Sequence, residues 1–244
     1  MKATMAGLAL GMALFGTAAH AEPIHIESAA LVLDNLPSYT EDRISVLANN
    51  ADVLQLSLTE MLNRNSSGGT GWSAFDDQGV FQQTVNGFAT GYQLAARQGY
   101  HISLITLDLT FSGQLQQAQS PLDPPGQALN YTQDSMQLLN AGSVVQSDGR
   151  RIDNLNGTQQ VQLTFWDLAW AQTVSLELQS QVWMGAQGIP PNGILPGIPS
   201  FASMNMTDAV LTIHTAISPA PEPSTYAMLL AGLGLVGVAA RRRK

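Results

Sequence analysis

The 244-residue chain contains no cysteine. Disulfides, thiol catalysis and Cys-ligated zinc are therefore excluded, and the fold must rest on packing. Basic residues are almost as scarce in the middle of the chain. Of ten Lys and Arg, five stand near the ends (Lys2, Arg241, Arg242, Arg243 and Lys244), which leaves five Arg and no Lys between residues 22 and 220, against 17 of the 18 acids. That interval carries a charge of about −12. Phosphate backbones and anionic lipid surfaces would be repelled by it, so nucleic acid is excluded as a partner, and divalent cations or neutral sugars fit better. Catalytic signatures are missing too. There is no H-E-x-x-H, P-loop, G-x-G-x-x-G or G-x-S-x-G, and Gly71-Trp72-Ser73-Ala74-Phe75 fails the last of these at its final position. His25, His101 and His214 are the only histidines of the interval, and its carboxylates are scattered. The chain is read as a non-enzyme, with no catalytic residue and no cofactor assigned.

Long helical stripes are absent from the interval, and a period of two is present instead. Leu54, Leu56 and Leu58 alternate with polar residues, as do Val161, Leu163 and Phe165. The clearest run sets Val174, Leu176, Leu178, Val182 and Met184 against Thr173, Ser175, Glu177, Gln179 and Gln181. These read as strands with one wet face. Further strands are expected over 24–33, 80–85, 88–96, 100–111, 143–146 and 209–217, with a short turn of helix over 135–141. Within 100–111 the apolar positions switch from even to odd, which a bulge near Leu104 would reconcile. Loops are expected over 63–79 and 185–200. The fold class is an all-β antiparallel sandwich, jelly-roll-like, over residues 22–218.

Both ends carry sequence of another kind. Lys2, an apolar core from Ala6 to Phe15 and the small-x-small site Ala19-His20-Ala21 read as a signal peptide, residues 1–21, cleaved after Ala21. At the other end, residues 219–244 hold Pro221-Glu222-Pro223-Ser224, an apolar run over 224–240, and the cluster Arg241-Arg242-Arg243-Lys244. As a helix the run would measure about 25 Å, against about 30 Å of hydrocarbon, so it is a short transmembrane helix with a basic cytoplasmic stop. A marginal span with a marked polar entry also has the logic of an anchor that is cut and replaced.

Pro221-Glu222-Pro223-Ser224-Thr225, the run through Gly234 and the final Arg cluster resemble the PEP-CTERM sorting signal. The resemblance implies an exported protein processed by an exosortase, anchored transiently in the inner membrane and delivered to the outer surface or extracellular matrix, in association with exopolysaccharide and biofilm. Signal peptidase and the exosortase are the implied partners during export. Two other readings stand beside it: a carbohydrate-binding or carbohydrate-active sandwich, and a periplasmic protein permanently anchored in the membrane.

Two groups of residues have a functional reading within the sandwich. Trp166 falls on the Gln160-Gln162-Thr164 face and Trp183 on the Glu177-Gln179-Gln181 face. A flat aromatic beside amides suits stacking and hydrogen bonding to a sugar, and it equally suits covering an edge or packing under a loop. Asp148, Asp153, Asn154 and Asn156 offer hard oxygen ligands for Ca²⁺, although the EF-hand spacing fails; the same residues serve as Asx turns.

Overall fold

The computed structural model describes residues 24–39, 44–63, 72–168, 172–193, 195–218 and 228–233. The strands are β1 (His25–Glu27), β2 (Leu31–Asn35), β3 (Ser45–Asn49), β4 (Val53–Ser57), β5 (Ser73–Asp76), β6 (Gln82–Ala96), β7 (Tyr100–Gln116), β8 (Gln127–Asn140), β9 (Ser143–Asp153), β10 (Gly157–Trp166), β11 (Thr173–Gln187) and β12 (Ser200–Ile217). One short helix, α1 (Thr59–Asn63), follows β4. One sheet has the order β1-β2-β6-β11-β8-β9 and the other β10-β7-β12-β4-β3, with β5 also paired to β12. The all-β sandwich expected from the sequence is present. From β6 to β12 the chain crosses between the sheets at every step except the β8–β9 hairpin, the winding of two Greek keys.

A single core joins the facing sides of both sheets, with Leu33, Tyr92, Met136, Leu176 and Met184 from one and Leu56, Ile105, Phe111, Leu163 and Leu211 from the other. The alternation read from the sequence decides which side each strand buries: Val161, Leu163 and Phe165 point in from β10, and Leu176, Leu178 and Val182 from β11. The parity conflict in β7 resolves as a bulge. Opposite β12, His214 pairs with Leu104 but Thr215 pairs with Ile102, so Ser103 is the extra residue. Ile102 and Ile105 consequently both reach the core.

Three expected boundaries are corrected by pairing. The run 24–33 is a hairpin of β1 and β2, because the Ser28 hydroxyl accepts hydrogen bonds from the Ala30 and Leu31 N–H groups (3.2 and 2.9 Å) and turns the chain. The runs 80–85 and 88–96 fuse into β6, since β11 pairs with it continuously from Gln82 to Ala95. Gly87 suits that continuity, because a Cβ there would lie 2.3 Å from the Ser180 carbonyl oxygen. The short helix expected over 135–141 is strand, with Met136 and Leu138 buried on one face of β8. Ala141 and Gly142 then close the β8–β9 hairpin, both at positive φ (48° and 80°), as the tight primed turn requires. Expected loops shrink similarly, with β5 lying inside 63–79 and β11 extending to Gln187.

Candidate functional site

β9 and β10 end their respective sheets at the same side of the sandwich, so the site begins with two free strand edges. The turn between them is fixed from inside. Asn130 accepts a hydrogen bond from the Leu155 N–H (2.6 Å) and donates to the carbonyls of Leu155 (2.9 Å) and Ser203 (2.8 Å). Along β9 the inward side starts with Ile152, which is buried, and steps of two carry it to Arg150, Asp148 and Gln146. Those three are polar, at positions where a closed sandwich would place apolar side chains. The two edges bracket an open cleft of about 490 Å³, lined by Gln146, Ser147, Asp148 and Arg150 from β9 and by Gln162, Thr164, Phe165 and Trp166 from β10.

Within the cleft the β9 side chains cap backbone groups of β10. Asp148 accepts the Thr164 N–H (3.0 Å), and the Gln146 amide donates to the Trp166 carbonyl (3.2 Å). Asp148 also accepts hydrogen bonds from Gly149 N–H and from Arg150, both at 2.8 Å. Gln162 donates to Asp108 (2.7 Å) through its amide nitrogen, and its amide oxygen is an acceptor not used in that bond. β10 stops at Trp166, and Asp167 follows with φ of 58°. The Trp166 side chain stands on the outer parity of β10, 70% exposed.

The second tryptophan sits in a different setting. Trp183 is half-buried on the outer face of β11 and is stacked between two rings from opposite neighbours. Phe81, just ahead of β6, lies 6.0 Å away at 26°, and Tyr131 of β8 lies 5.3 Å away at 16°. The Arg151 guanidinium covers the next ring, 4.1 Å from the Tyr131 centroid, and is itself paired with Asp153 at 2.8 Å. Gly185 makes room for this ladder, since a Cβ there would meet both Phe81 and Trp183 at 2.5 Å. Trp183 thus sits in the middle of a cross-strand stack, with a ring against each of its faces.

The structure does not bring the two tryptophans together, and it separates the residues read as Ca²⁺ ligands. Asp148 and Asp153 belong to one extended strand, five residues and about 16 Å apart, on opposite faces. Asp153 pairs with Arg151, while Asn154 (φ 54°) and Asn156 lie in the turn to β10. Asn154 donates its N–H to the Asn130 carbonyl (2.7 Å). Among the described residues no group of three or more His, Asp or Glu could hold a metal ion. Asp76, the buried acid of β5, accepts the N–H groups of Gln78 (3.2 Å) and Gly188 (2.8 Å) and so fastens the β11–β12 connection.

Gln146, Arg150 and the ring partners Phe81 and Tyr131 were not picked out by sequence. Ending the strand at Gln146 hid the inward parity of Asp148 and Arg150; only the buried Ile152, six residues further on, sets it. The residues read as a signal-peptide cleavage site, Ala19 and Ala21, those read as a sorting motif, Pro221, Glu222, Pro223 and Ser224, and the cluster Arg241, Arg242, Arg243 and Lys244 lie outside the described residues. Of the apolar run, residues 228–233 are helical. Among the described residues no helix is long and apolar enough to cross a membrane.

Comparison with known proteins speaks to the tail. Residues 219–244 match the PEP-CTERM protein-sorting motif, which marks the chain as an exported protein sorted by an exosortase. The molecule is therefore an all-β sandwich that carries a C-terminal sorting signal. No curated protein matches the chain. Among solved structures it is similar to the enzymatically active domain of bacteriophage CBA120 tailspike protein 4, at 11% identity and a TM-score of 0.24, over 59% of this chain but only 20% of that one. It is also similar to Broad Bean Stain Virus (12% identity, TM-score 0.22, 65% of this chain and 96% of that one). A third likeness is to TmCBM61 in complex with beta-1,4-galactotriose (7% identity, TM-score 0.21, 72% of this chain and 87% of that one). At these TM-scores the likenesses are too remote to carry a ligand or an activity across.

Proposed function

We propose that the chain is a non-enzymatic protein of the cell surface or extracellular matrix, associated with exopolysaccharide in a biofilm. Signal peptidase removes residues 1–21, the run 224–240 holds the protein briefly in the inner membrane, and an exosortase acts at Pro221-Glu222-Pro223-Ser224. The match of residues 219–244 to the sorting motif is the observation that carries this reading. Its order is physically coherent: a Pro-bounded acidic entry, a span too short and glycine-rich to be a strong permanent anchor, and a basic stop that keeps its end in the cytoplasm. Replacing Pro221-Glu222-Pro223 with three alanines tests it. The full-length form should then accumulate in the inner membrane. Unchanged surface delivery would mean that the tripeptide is not read, and wild-type protein recovered intact from the inner membrane would favour a permanently anchored periplasmic protein.

A second reading, a carbohydrate-binding module, is supported by one specific observation. Trp166 stands 70% exposed at the mouth of a cleft that also presents Gln162 and Thr164. An apolar plane beside amide and hydroxyl groups matches the alternating C–H and O–H surfaces of a sugar ring.

A further inference from the structure

We propose that the cleft between β9 and β10 binds a segment of an uncharged polysaccharide, with Trp166 as its stacking face and Gln162, Thr164 and Arg150 as partners for sugar hydroxyls. This deepens the carbohydrate reading above, on which it rests, by naming the site and the class of ligand. Four observations converge on it. The inward positions of β9 are polar just where the sandwich should close, a departure from core patterning of the kind found at functional sites. Trp166 is 70% exposed, and no ring or cation covers it among the described residues, whereas Trp183 has a ring on each side.

The remaining two observations choose between ligands. A peptide strand adding to the β10 edge would need its backbone groups, but Asp148 already takes the Thr164 N–H and Gln146 the Trp166 carbonyl. At that end of β10 those two groups are taken, and the chemistry the cleft itself presents is that of its side chains. A polyanion would need uncompensated cations, yet Arg150 is held at 2.8 Å by Asp148, and residues 22–220 carry about −12. An aliphatic ligand would strip water from the cleft's amides and ion pair and give their remaining donors and acceptors nothing in return. A neutral sugar satisfies them, because each hydroxyl donates and accepts, and Arg150 keeps N–H groups free beyond those it gives to Asp148 and Gly149.

The test uses the full chain in a zwitterionic detergent free of sugar. It is run through native gels containing dextran, galactan or mixed-linkage β-glucan as neutral polymers, or alginate as the polyanion, and tryptophan emission is followed with the same four polymers. At least one neutral polymer should retard the protein and shift its emission, and alginate should do neither. Trp166→Ala should weaken the binding about ten-fold or more, by analogy with aromatic stacking on bases, with an unchanged melt. Trp166→Phe should keep most of the affinity. Trp183→Ala, compared at a temperature where it is folded, should bind as the wild type does. Neutral-polymer binding that survives Trp166→Ala would overturn the site while leaving a carbohydrate module standing. Retardation by alginate instead would overturn the ligand class. Failure of all three neutral polymers would overturn the inference altogether, while surface delivery of the same chain would keep the sorting reading intact.

Discussion

Trp166 and Trp183 both fall on the outer, polar side of a well-patterned strand, and by alternation alone they are equivalent. Their surroundings make them different. β11 lies mid-sheet, so Trp183 has a strand on each side, and Phe81 and Tyr131 close over it from both. β10 ends its sheet and Trp166 ends β10, so its indole extends into solvent beside a cleft. A tryptophan's role in a sheet is therefore set by its place in the strand order, which depends on pairings distant in sequence.

Two large effects of similar size are expected, the first on the closed side. Trp183→Ala removes the middle ring of the Phe81–Trp183–Tyr131 stack and should destabilise the fold by about 2 to 3 kcal/mol, read as a lower urea midpoint. An unchanged midpoint would erase the contrast between the two tryptophans.

The next effect sharpens the comparison on the inner side of the same sheet, where Asp134 of β8 is buried while Asp148 of β9 reaches the open edge. Asp134 accepts hydrogen bonds from Ser180 (2.5 Å) and Thr132 (3.1 Å), but burial outweighs both and pushes its carboxyl up to about 6. The folded protein then holds a proton that the unfolded chain releases near pH 4, so this contribution is fully present below pH 4 and is lost as pH rises through 6. A shift of about two pKa units amounts to about 3 kcal/mol. Urea midpoints of the wild type should fall between pH 4 and pH 7, and Asp134→Asn should remove most of that fall. Equal slopes in the two proteins would mean that the buried carboxyl does not set it.

Much of the architecture was legible because alternation is a local signal. The even-to-odd switch in β7 located its bulge beside Leu104, since each half of the strand shows its own buried side. Strand ends were less legible. Gly87 looks like a break, and the run 135–141 looks like a short helix; both are overridden by long-range pairing with β11. At the candidate site, Trp166 and Asp148 could be singled out from residue type and turn context. Their meeting could not, because 18 residues separate them along the chain and it is the β9–β10 turn that sets them across one cleft. The tail was readable for the opposite reason, since a sorting signal is recognised as a linear order of segments.

The smallest effect on stability is expected at the open edge, and it carries the central claim. Trp166 is exposed enough that Trp166→Ala should move the urea midpoint by less than about 0.5 kcal/mol. Its accessibility can be measured directly by acrylamide quenching of tryptophan emission in the wild type, Trp166→Ala and Trp183→Ala. Loss of Trp166 should lower the quenching slope sharply by removing the most accessible indole among the described residues, whereas loss of Trp183 should leave the slope unchanged or raise it. A slope that falls with Trp183→Ala and holds with Trp166→Ala would contradict the assignment of Trp166 as the free aromatic face.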